Sequence, residues 1–180
     1  FNDIIKSLDK IKKTKVLVVG DLIIDKYVFG NVMGKSGKEP HMVFNQTKEE
    51  MYLGGSAIIA NHLSDFVNKI TLISDFGNDI EIKNLLKKKL KKNVKQITIK
   101  PSKNSEFSIK TRFVDNTSNY KLFGSYLIPS LDNKIFYKSL EKAVNKNIEI
   151  NDLIIIADFS NNFFNFNTLK KVNQSNKFIA

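Results

Sequence analysis

The sequence has no cysteine and no tryptophan, and among its 180 residues there are only three prolines and a single arginine. Without cysteine there is no disulfide framework, no thiolate nucleophile and no zinc–thiolate site. No apolar run approaches the roughly 20 residues that a membrane-spanning helix needs. The N-terminal residues also lack the order of basic, apolar and small residues that marks a secretory signal. We therefore expect a cytoplasmic protein that does not bind a membrane.

Basic residues outnumber acidic ones, 29 to 18, which gives a formal net charge of +11. The densest basic block, residues 87–92, falls within a stretch whose apolar residues have helical spacing. We therefore expect these lysines on the solvated face of a helix. Basic surfaces that bind nucleic acid usually contain arginine, and Arg112 is the only one here. A basic nucleic-acid-binding domain remains an alternative, but the charge distribution favours a protein without a nucleic-acid partner.

Short, continuous apolar runs alternate with segments of helical periodicity along the chain. The runs are residues 16–19 and 153–157, and the strand-like segment 70–73 is apolar except for Thr71. This alternation predicts an α/β fold with a mostly parallel central sheet, because strands buried on both faces are apolar throughout. Two strand-rich segments, about 26–53 and 96–128, interrupt the alternation and are predicted to form a small separate sheet.

The whole chain, residues 1–180, is predicted to be part of a single domain. Its apolar content of 42% is sufficient for one hydrophobic core. The last four residues have the character of another buried strand. We therefore expect a domain that is incomplete at its C-terminus.

Several aspartates come at or just after the ends of the predicted strands, where open α/β sheets bind their ligands. These are Asp21, Asp75 and Asp158, and Asp25 lies four residues beyond the first of them. A carboxylate can accept hydrogen bonds from two neighbouring hydroxyls, as in the binding of a polyol. For Asp21 this favours ligand binding, whereas a helix cap or a turn is an equal alternative for Asp75 and Asp158.

Gly54 and Gly55 directly precede a predicted helix, and two glycines there allow a ligand to approach the backbone closely. The segment matches neither the P-loop pattern nor G-x-G-x-x-G, and a simple turn is the alternative. Lys110 and Arg112 alternate on a predicted strand and so share one face. They can bind a phosphate together, although two solvated charges are an equal alternative.

Metal binding and nucleophilic catalysis find no support in the residue pattern. His41 and His62 have no partners at metal-ligand spacing, and we interpret both as structural or incidental. Nothing corresponds to a Ser/His/Asp or a Cys/His constellation.

Taken together, the motifs resemble those of the ribokinase-like (PfkB) carbohydrate kinases, closest to the branch of heptose-7-phosphate kinases and bifunctional kinase–nucleotidyltransferases. The order and spacing of the motifs agree over essentially all 180 residues. Residues 20–27 match G-D-x-x-x-D-[RK]-Y, and residues 77–79 match G-x-D. The other segments correspond in part: Ser36-Gly37-Lys38-Glu39-Pro40 to the S-P-E-A-P turn, Leu53-Gly54-Gly55-Ser56-Ala57 to L-G-G-A-A, Lys110-Thr111-Arg112 to the K-x-R of T-K-x-R, and Ala157-Asp158-Phe159 to S-D-Y.

The resemblance implies a ribokinase-like αβα sandwich with a small β-lid, which is often used to form a homodimer. It also implies a sugar or sugar-phosphate substrate, with ATP and Mg²⁺ for phosphorylation of a sugar hydroxyl. The substrate-binding residues that it implies are Asp21, Asp25, Gly54 and Gly55 for the sugar, and Lys110 or Arg112 for a sugar phosphate.

The sequence also departs from the family pattern. Ile58 stands where the family has an asparagine that contacts the sugar, and Asn161 and Asn162 replace the Lys and Gly of D-Y-x-K-G. The G-A-G-D motif that carries the catalytic base is absent. No catalytic residue is therefore predicted before Ala180, and the chain by itself is expected to be inactive. A non-catalytic sugar-binding or regulatory module is the alternative.

Overall fold

The computed structural model describes residues 2–99, 106–131 and 134–180. Helices and strands alternate through most of these ranges, as the sequence predicts. In chain order the elements are α1 (Asn2–Lys13), β1 (Lys15–Gly20), β2 (Leu22–Lys35), β3 (Met42–Gly54), α2 (Gly55–Leu63), β4 (Lys69–Asp75), α3 (Ile80–Lys89), β5 (Val94–Ile99), β6 (Ser108–Asp115), β7 (Lys121–Leu127), α4 (Lys134–Ile148), β8 (Leu153–Ala157), α5 (Phe166–Asn173) and β9 (Phe178–Ile179).

The central sheet has the strand order β5-β4-β1-β8-β9, and each pairing between its neighbours is parallel. Strand β1 lies in the middle, where Val18 pairs with Leu72 of β4 and Ile155 of β8. A strand in this position has both faces covered, which explains why β1 is a continuous apolar run. The parallel pairing also brings the carboxyl ends of β1, β4 and β8 to the same edge of the sheet.

Successive residues of β1 point to two separate hydrophobic cores, because side chains alternate along a strand. Val16 and Val18 pack in the core that contains α2 and α3, whereas Leu17 and Val19 pack in the core that contains α4 and α5. Helices therefore cover both faces of the sheet, and the predicted αβα sandwich is confirmed.

The second sheet has four strands in the order β3-β2-β6-β7. The β2–β3 and β6–β7 pairs are antiparallel, and the β2–β6 pair is parallel. On β2, Ile24 and Val28 are buried. Asp25, Tyr27 and Phe29 alternate with them on the opposite face, where they are only partly buried. One face of this sheet therefore carries polar and aromatic groups.

The boundary of the second strand-rich segment differs from the prediction. Residues 96–99 were expected in the small sheet, but β5 pairs in parallel with β4 at the edge of the central sheet. The physical reason is that β5 follows α3, and such a helix returns the chain to the same sheet as a parallel strand. The small sheet resumes at Ser108, and residues 100–105 lie outside the described ranges.

Three details of the helices and of the last strand also follow from the structure. Asp79 caps α3, because its carboxylate accepts hydrogen bonds from the backbone N–H groups of Glu81 and Ile82. Lys87–Lys89 are exposed on that helix, as predicted. Strand β9 pairs in parallel with β8 at the edge of the central sheet, and Phe178 is 74% exposed there. In the ranges given above, no helix is long and apolar enough to span a membrane.

Candidate functional site

The start of α2 lies against the end of β1, and two glycines make this contact feasible. Gly55 has a φ of +56°, in the left-handed region, and a Cβ at this position would collide with the carbonyl oxygen of Asp21. The backbone N–H of Ser56 donates to that same carbonyl at 2.8 Å, and its hydroxyl donates to the carbonyl of Gly20 at 2.9 Å. Ser56, which sequence reasoning did not single out, therefore fixes the position of Asp21.

The Asp21 side chain is completely buried at the end of β1. Its Oδ2 accepts a hydrogen bond of 3.1 Å from the backbone N–H of Phe159, which follows β8. Its Oδ1 is buried without a hydrogen-bond partner among the described residues. Burial raises the pKa of Asp21, and nearby Asp158 raises it further, whereas the Phe159 N–H and the Asn161 side chain act to lower it. Asp21 is therefore a buried carboxyl that the loop after β8 holds at the end of β1.

A second buried carboxyl, Asp75, lies beside Asp21 at the end of β4. Its Oδ1 accepts a hydrogen bond of 2.7 Å from the backbone N–H of Leu22, and its Oδ2 is buried without a partner in the described ranges. Burial raises the pKa of Asp75 to about 7, and the charge of Asp21 contributes to the increase. Asp75 is therefore neither a helix cap nor a turn residue: it holds the first residue of β2.

Asp25 lies on the open face of the second sheet, where it forms an ion pair with Arg112. The Arg112 guanidinium also lies over the ring of Tyr27, with 5.4 Å between the guanidinium carbon and the ring centroid. The other carboxylate oxygen of Asp25 lies against Gly54, where a Cβ would collide with it. The structure therefore brings together three of the predicted substrate-binding residues, Asp25, Gly54 and Arg112.

A depression of about 370 Å³ opens beside this ion pair. The rings of Tyr27 and Tyr52 meet edge to face at 5.9 Å, and Phe29 stacks on Tyr27 at 6.4 Å. The Tyr52 hydroxyl donates a hydrogen bond to Glu50. Aromatic walls with a few convergent polar groups are typical of small-molecule sites. The lining residues are Asp25, Tyr27, Phe29, Glu50 and Tyr52.

Lys110 differs from Arg112 in that no carboxylate pairs with it in the described part of the chain. Its ammonium group lies 5.8 Å from the ring centroids of both Tyr126 and Phe159. The contact with Phe159 places Lys110 next to the loop that also bonds Asp21. The sequence alone did not distinguish Lys110 from Arg112 as the side chain that binds an anion. Among the described residues, Arg112 forms an ion pair with a carboxylate and Lys110 does not.

Among the described residues, no cluster of protein ligands marks a position for the Mg²⁺ that the resemblance implies. In residues 2–99, 106–131 and 134–180, no three His, Cys, Asp or Glu side chains lie together as metal ligands would. His41 is near a single acidic group, since its Nδ1 lies 4.0 Å from Glu39. We therefore assign none of the described residues to the metal ion or to ATP.

Comparison with known proteins finds similarity in both sequence and fold. The bifunctional protein HldE of Helicobacter pylori strain G27 is 29% identical to the chain over 152 residues, which cover 84% of the chain and 33% of that protein. Among solved structures, phosphofructokinase-2 of Escherichia coli in complex with fructose-6-phosphate has a TM-score of 0.66 and 13% identity, over 92% of the chain and 54% of the enzyme. Arabidopsis thaliana ribokinase in complex with ribose and ATP has a TM-score of 0.61 and 13% identity, over 93% of the chain and 52% of the ribokinase. No protein-family model matches the sequence.

The fold is that of the ribokinase-like carbohydrate kinases. Within that class the chain is a homologue of the bifunctional HldE proteins, and it spans about a third of the length of the curated relatives that it matches. The family resemblance inferred from the sequence motifs is thereby confirmed.

Proposed function

We propose that this chain forms the sugar-binding part of an ATP-dependent kinase that phosphorylates a sugar or a sugar phosphate of the heptose-phosphate type. The observation that carries the proposal is the depression beside the Asp25–Arg112 ion pair. It lies on a sheet next to the buried Asp21, in a chain homologous to HldE.

A sugar presents hydroxyl groups at its edges and apolar C–H groups on its faces. In the depression, Asp25 and Glu50 supply acceptors for hydroxyls, whereas Tyr27, Phe29 and Tyr52 supply apolar ring surfaces. The ion pair with Arg112 holds the Asp25 carboxylate in place before a sugar binds. We assign sugar binding to Asp21 and Asp25, with the backbone of Gly54 and Gly55 at close approach.

Binding of a phosphorylated sugar also requires a cationic side chain that contacts its phosphate group. Lys110 suits this role because it has no carboxylate to neutralise it among the described residues, and because it lies beside the Asp21 loop through Phe159. Arg112 shapes the sugar site through Asp25 instead. This division of roles supports a substrate that already carries a phosphate, such as a heptose 7-phosphate.

The proposed reaction transfers the terminal phosphoryl group of ATP to a sugar hydroxyl. The hydroxyl oxygen forms a bond to phosphorus, the bond from phosphorus to the oxygen of ADP breaks, and a base accepts the hydroxyl proton. The residues of this chain would bind and orient the sugar. The base itself remains a prediction for a segment beyond Ala180.

We also propose that the protein is a cytoplasmic homodimer that forms through the second sheet. This sheet exposes apolar side chains, and a depression of about 240 Å³ lies among them. Burial of such a patch is a common reason for association. The residues that line the depression are Val32, Met42, Val43, Phe44, Leu122 and Phe123.

The test is ATP consumption by the full-length gene product against a panel that contains heptose 7-phosphate, fructose 6-phosphate and ribose. The Asp21→Ala and Asp25→Asn variants are measured in parallel, with Asp9→Asn as a matched control because Asp9 is exposed on α1. Turnover that the two site variants lose and the control keeps supports the proposal. Sugar binding without ATP consumption would identify a non-catalytic module. Binding of neither sugar nor sugar phosphate would refute both.

A further inference from the structure

A depression of about 340 Å³ is lined by residues of α3 and β5, at one edge of the central sheet. It shares no lining residue with the depression beside Asp25 on the second sheet. Four of its lining side chains are lysines, namely Lys83, Lys87, Lys91 and Lys92, and among the described residues none of the others is acidic. All but one of those others are apolar. The depression is therefore complementary to an anion that also has an apolar part.

Most of this positive charge is not neutralised in the described part of the chain. Lys91 forms an ion pair with Asp65, whereas no carboxylate pairs with Lys83, Lys87 or Lys92 there. Lys83 and Lys87 are four residues apart and so share one face of α3, and like charges at this spacing destabilise a helix. An anion bound between the two lysines would remove this repulsion.

Side-chain amides hold the turn between α3 and β5 that carries two of the lysines. Asn61 Nδ2 donates a hydrogen bond of 2.8 Å to the carbonyl of Lys89, and Asn61 Oδ1 accepts one of 3.1 Å from the N–H of Lys91. Asn93 Nδ2 donates to the carbonyl of Val67 at 2.9 Å. Because this backbone is already ordered, less conformational entropy is lost when a ligand binds.

The depression also presents an aromatic ring and a buried amide. The Phe76 ring packs edge to face against Phe107 at 5.2 Å, and the Lys83 ammonium lies 5.8 Å from the centroid of Phe76. Gln96 Nε2 is buried without a hydrogen-bond partner among the described residues. Such a donor costs free energy unless a ligand or water accepts its hydrogen bond. The depression therefore suits a flat ring that carries a hydrogen-bond acceptor.

We propose that this depression is a second ligand site, which binds a phosphate ester with a flat nitrogen heterocycle, as in a nucleoside monophosphate. The phosphate lies against Lys83 and Lys87, since lysine binds phosphate as a point charge. The ring packs on the apolar surface beside Phe76, and a ring nitrogen accepts a hydrogen bond from Gln96 Nε2. The inference goes beyond the proposed function, because the site contains none of the residues assigned to the sugar.

The experiment is lysine footprinting of the full-length gene product. The protein is acetylated briefly with and without AMP, and the modified lysines are identified by mass spectrometry of its peptides. Lys88 and Lys89 are internal controls, because they are exposed on the same helix but do not line the depression. We expect saturating AMP to slow acetylation of Lys83 and Lys87 about fivefold or more, as for lysines bound to a phosphate, and to leave both controls unchanged. Because the readout is local, AMP bound elsewhere on the protein does not affect it.

Two comparisons test the chemical class of the ligand. Adenosine lacks the phosphate and inorganic phosphate lacks the ring, so each should protect the lysines only at about tenfold higher concentration or more. In Gln96→Leu the AMP concentration that gives half of the protection should also rise about tenfold, as for loss of a buried hydrogen bond. Thr98→Val is the matched control, because Thr98 is exposed on the same strand and does not line the depression.

Equal protection of Lys83, Lys87 and the two control lysines by AMP, or protection of none of them, would overturn the proposal. The same holds if inorganic phosphate protects as well as AMP, because the site would then recognise charge alone. A single-stranded oligonucleotide that protects all four lysines where AMP protects none would identify a basic nucleic-acid surface instead. An unchanged response to AMP in Gln96→Leu would refute the contact with the ring.

Discussion

The backbone N–H of Leu22 donates a hydrogen bond of 2.7 Å to Oδ1 of Asp75, so a buried carboxyl at the end of β4 holds the first residue of β2. Burial raises the pKa of this carboxyl from 3.8 to about 7. The folded protein therefore keeps a proton on Asp75 that the unfolded chain releases near pH 4. By linkage, the free energy of unfolding decreases as the pH rises from about 4 to about 7 on account of this residue.

The Asp75→Asn variant tests this linkage. The amide oxygen can still accept the Leu22 hydrogen bond, while the titrating group is removed. We expect the variant to be more stable than the unmodified protein at pH 8, by the order of 1–3 kcal/mol, and equally stable near pH 4. Thermal unfolding at several pH values measures the difference. A stability difference that is the same at pH 4 and pH 8 would contradict the raised pKa.

A substitution at Gly55 should destabilise the junction between β1 and α2. In Gly55→Ala the new Cβ meets the Asp21 carbonyl, and the left-handed φ of +56° becomes strained. We expect a loss of about 2 kcal/mol or more in the free energy of unfolding. Gly37→Ala is the matched control, because a Cβ there meets nothing within 4 Å. Chemical denaturation of the two variants gives the comparison, and equal stabilities would disprove the proposed close contact.

Lys110 and Arg112 should affect substrate binding in different ways. In Lys110→Met the KM for a phosphorylated sugar should rise about tenfold, as for loss of one charge-assisted contact, while an unphosphorylated sugar is unaffected. Arg112→Met frees Asp25 and should weaken binding of both kinds of sugar. Steady-state kinetics of the full-length gene product with paired substrates separates these results. The assignment is wrong if Lys110→Met affects both substrates equally.

The proposed dimer should depend on the apolar face of the second sheet. Val32 and Met42 line the depression there and are 42% and 63% exposed, so the double change to Asp should leave the monomer folded and abolish association. Ile135→Asp is the control, because Ile135 is an apolar residue of α4 that is 75% exposed. Light scattering after size-exclusion chromatography gives the molar mass. A protein that is monomeric without any substitution, or a double variant that remains dimeric, would argue against this interface.

The sequence by itself determined the central sheet. The apolar runs of β1, β4 and β8 are explained only by strands with helices on both faces, since a strand with one solvated face would alternate with polar residues. The cap of α3 by Asp79 is likewise encoded locally, because capping is an interaction within one turn. For the same reason the motifs around Asp21 and Gly54–Gly55 could be recognised without a structure.

The tertiary structure alone decided the roles of individual charged and polar groups. Arg112 pairs with Asp25 across 87 positions of sequence, and Phe159 bonds Asp21 across 138. The structure thereby distinguished Lys110 from Arg112, because it is Arg112 that forms the ion pair with Asp25. It also placed β5 in the central sheet. The physical reason is that pairing and burial depend on residues distant along the chain, whereas sequence patterns report only local periodicity and composition.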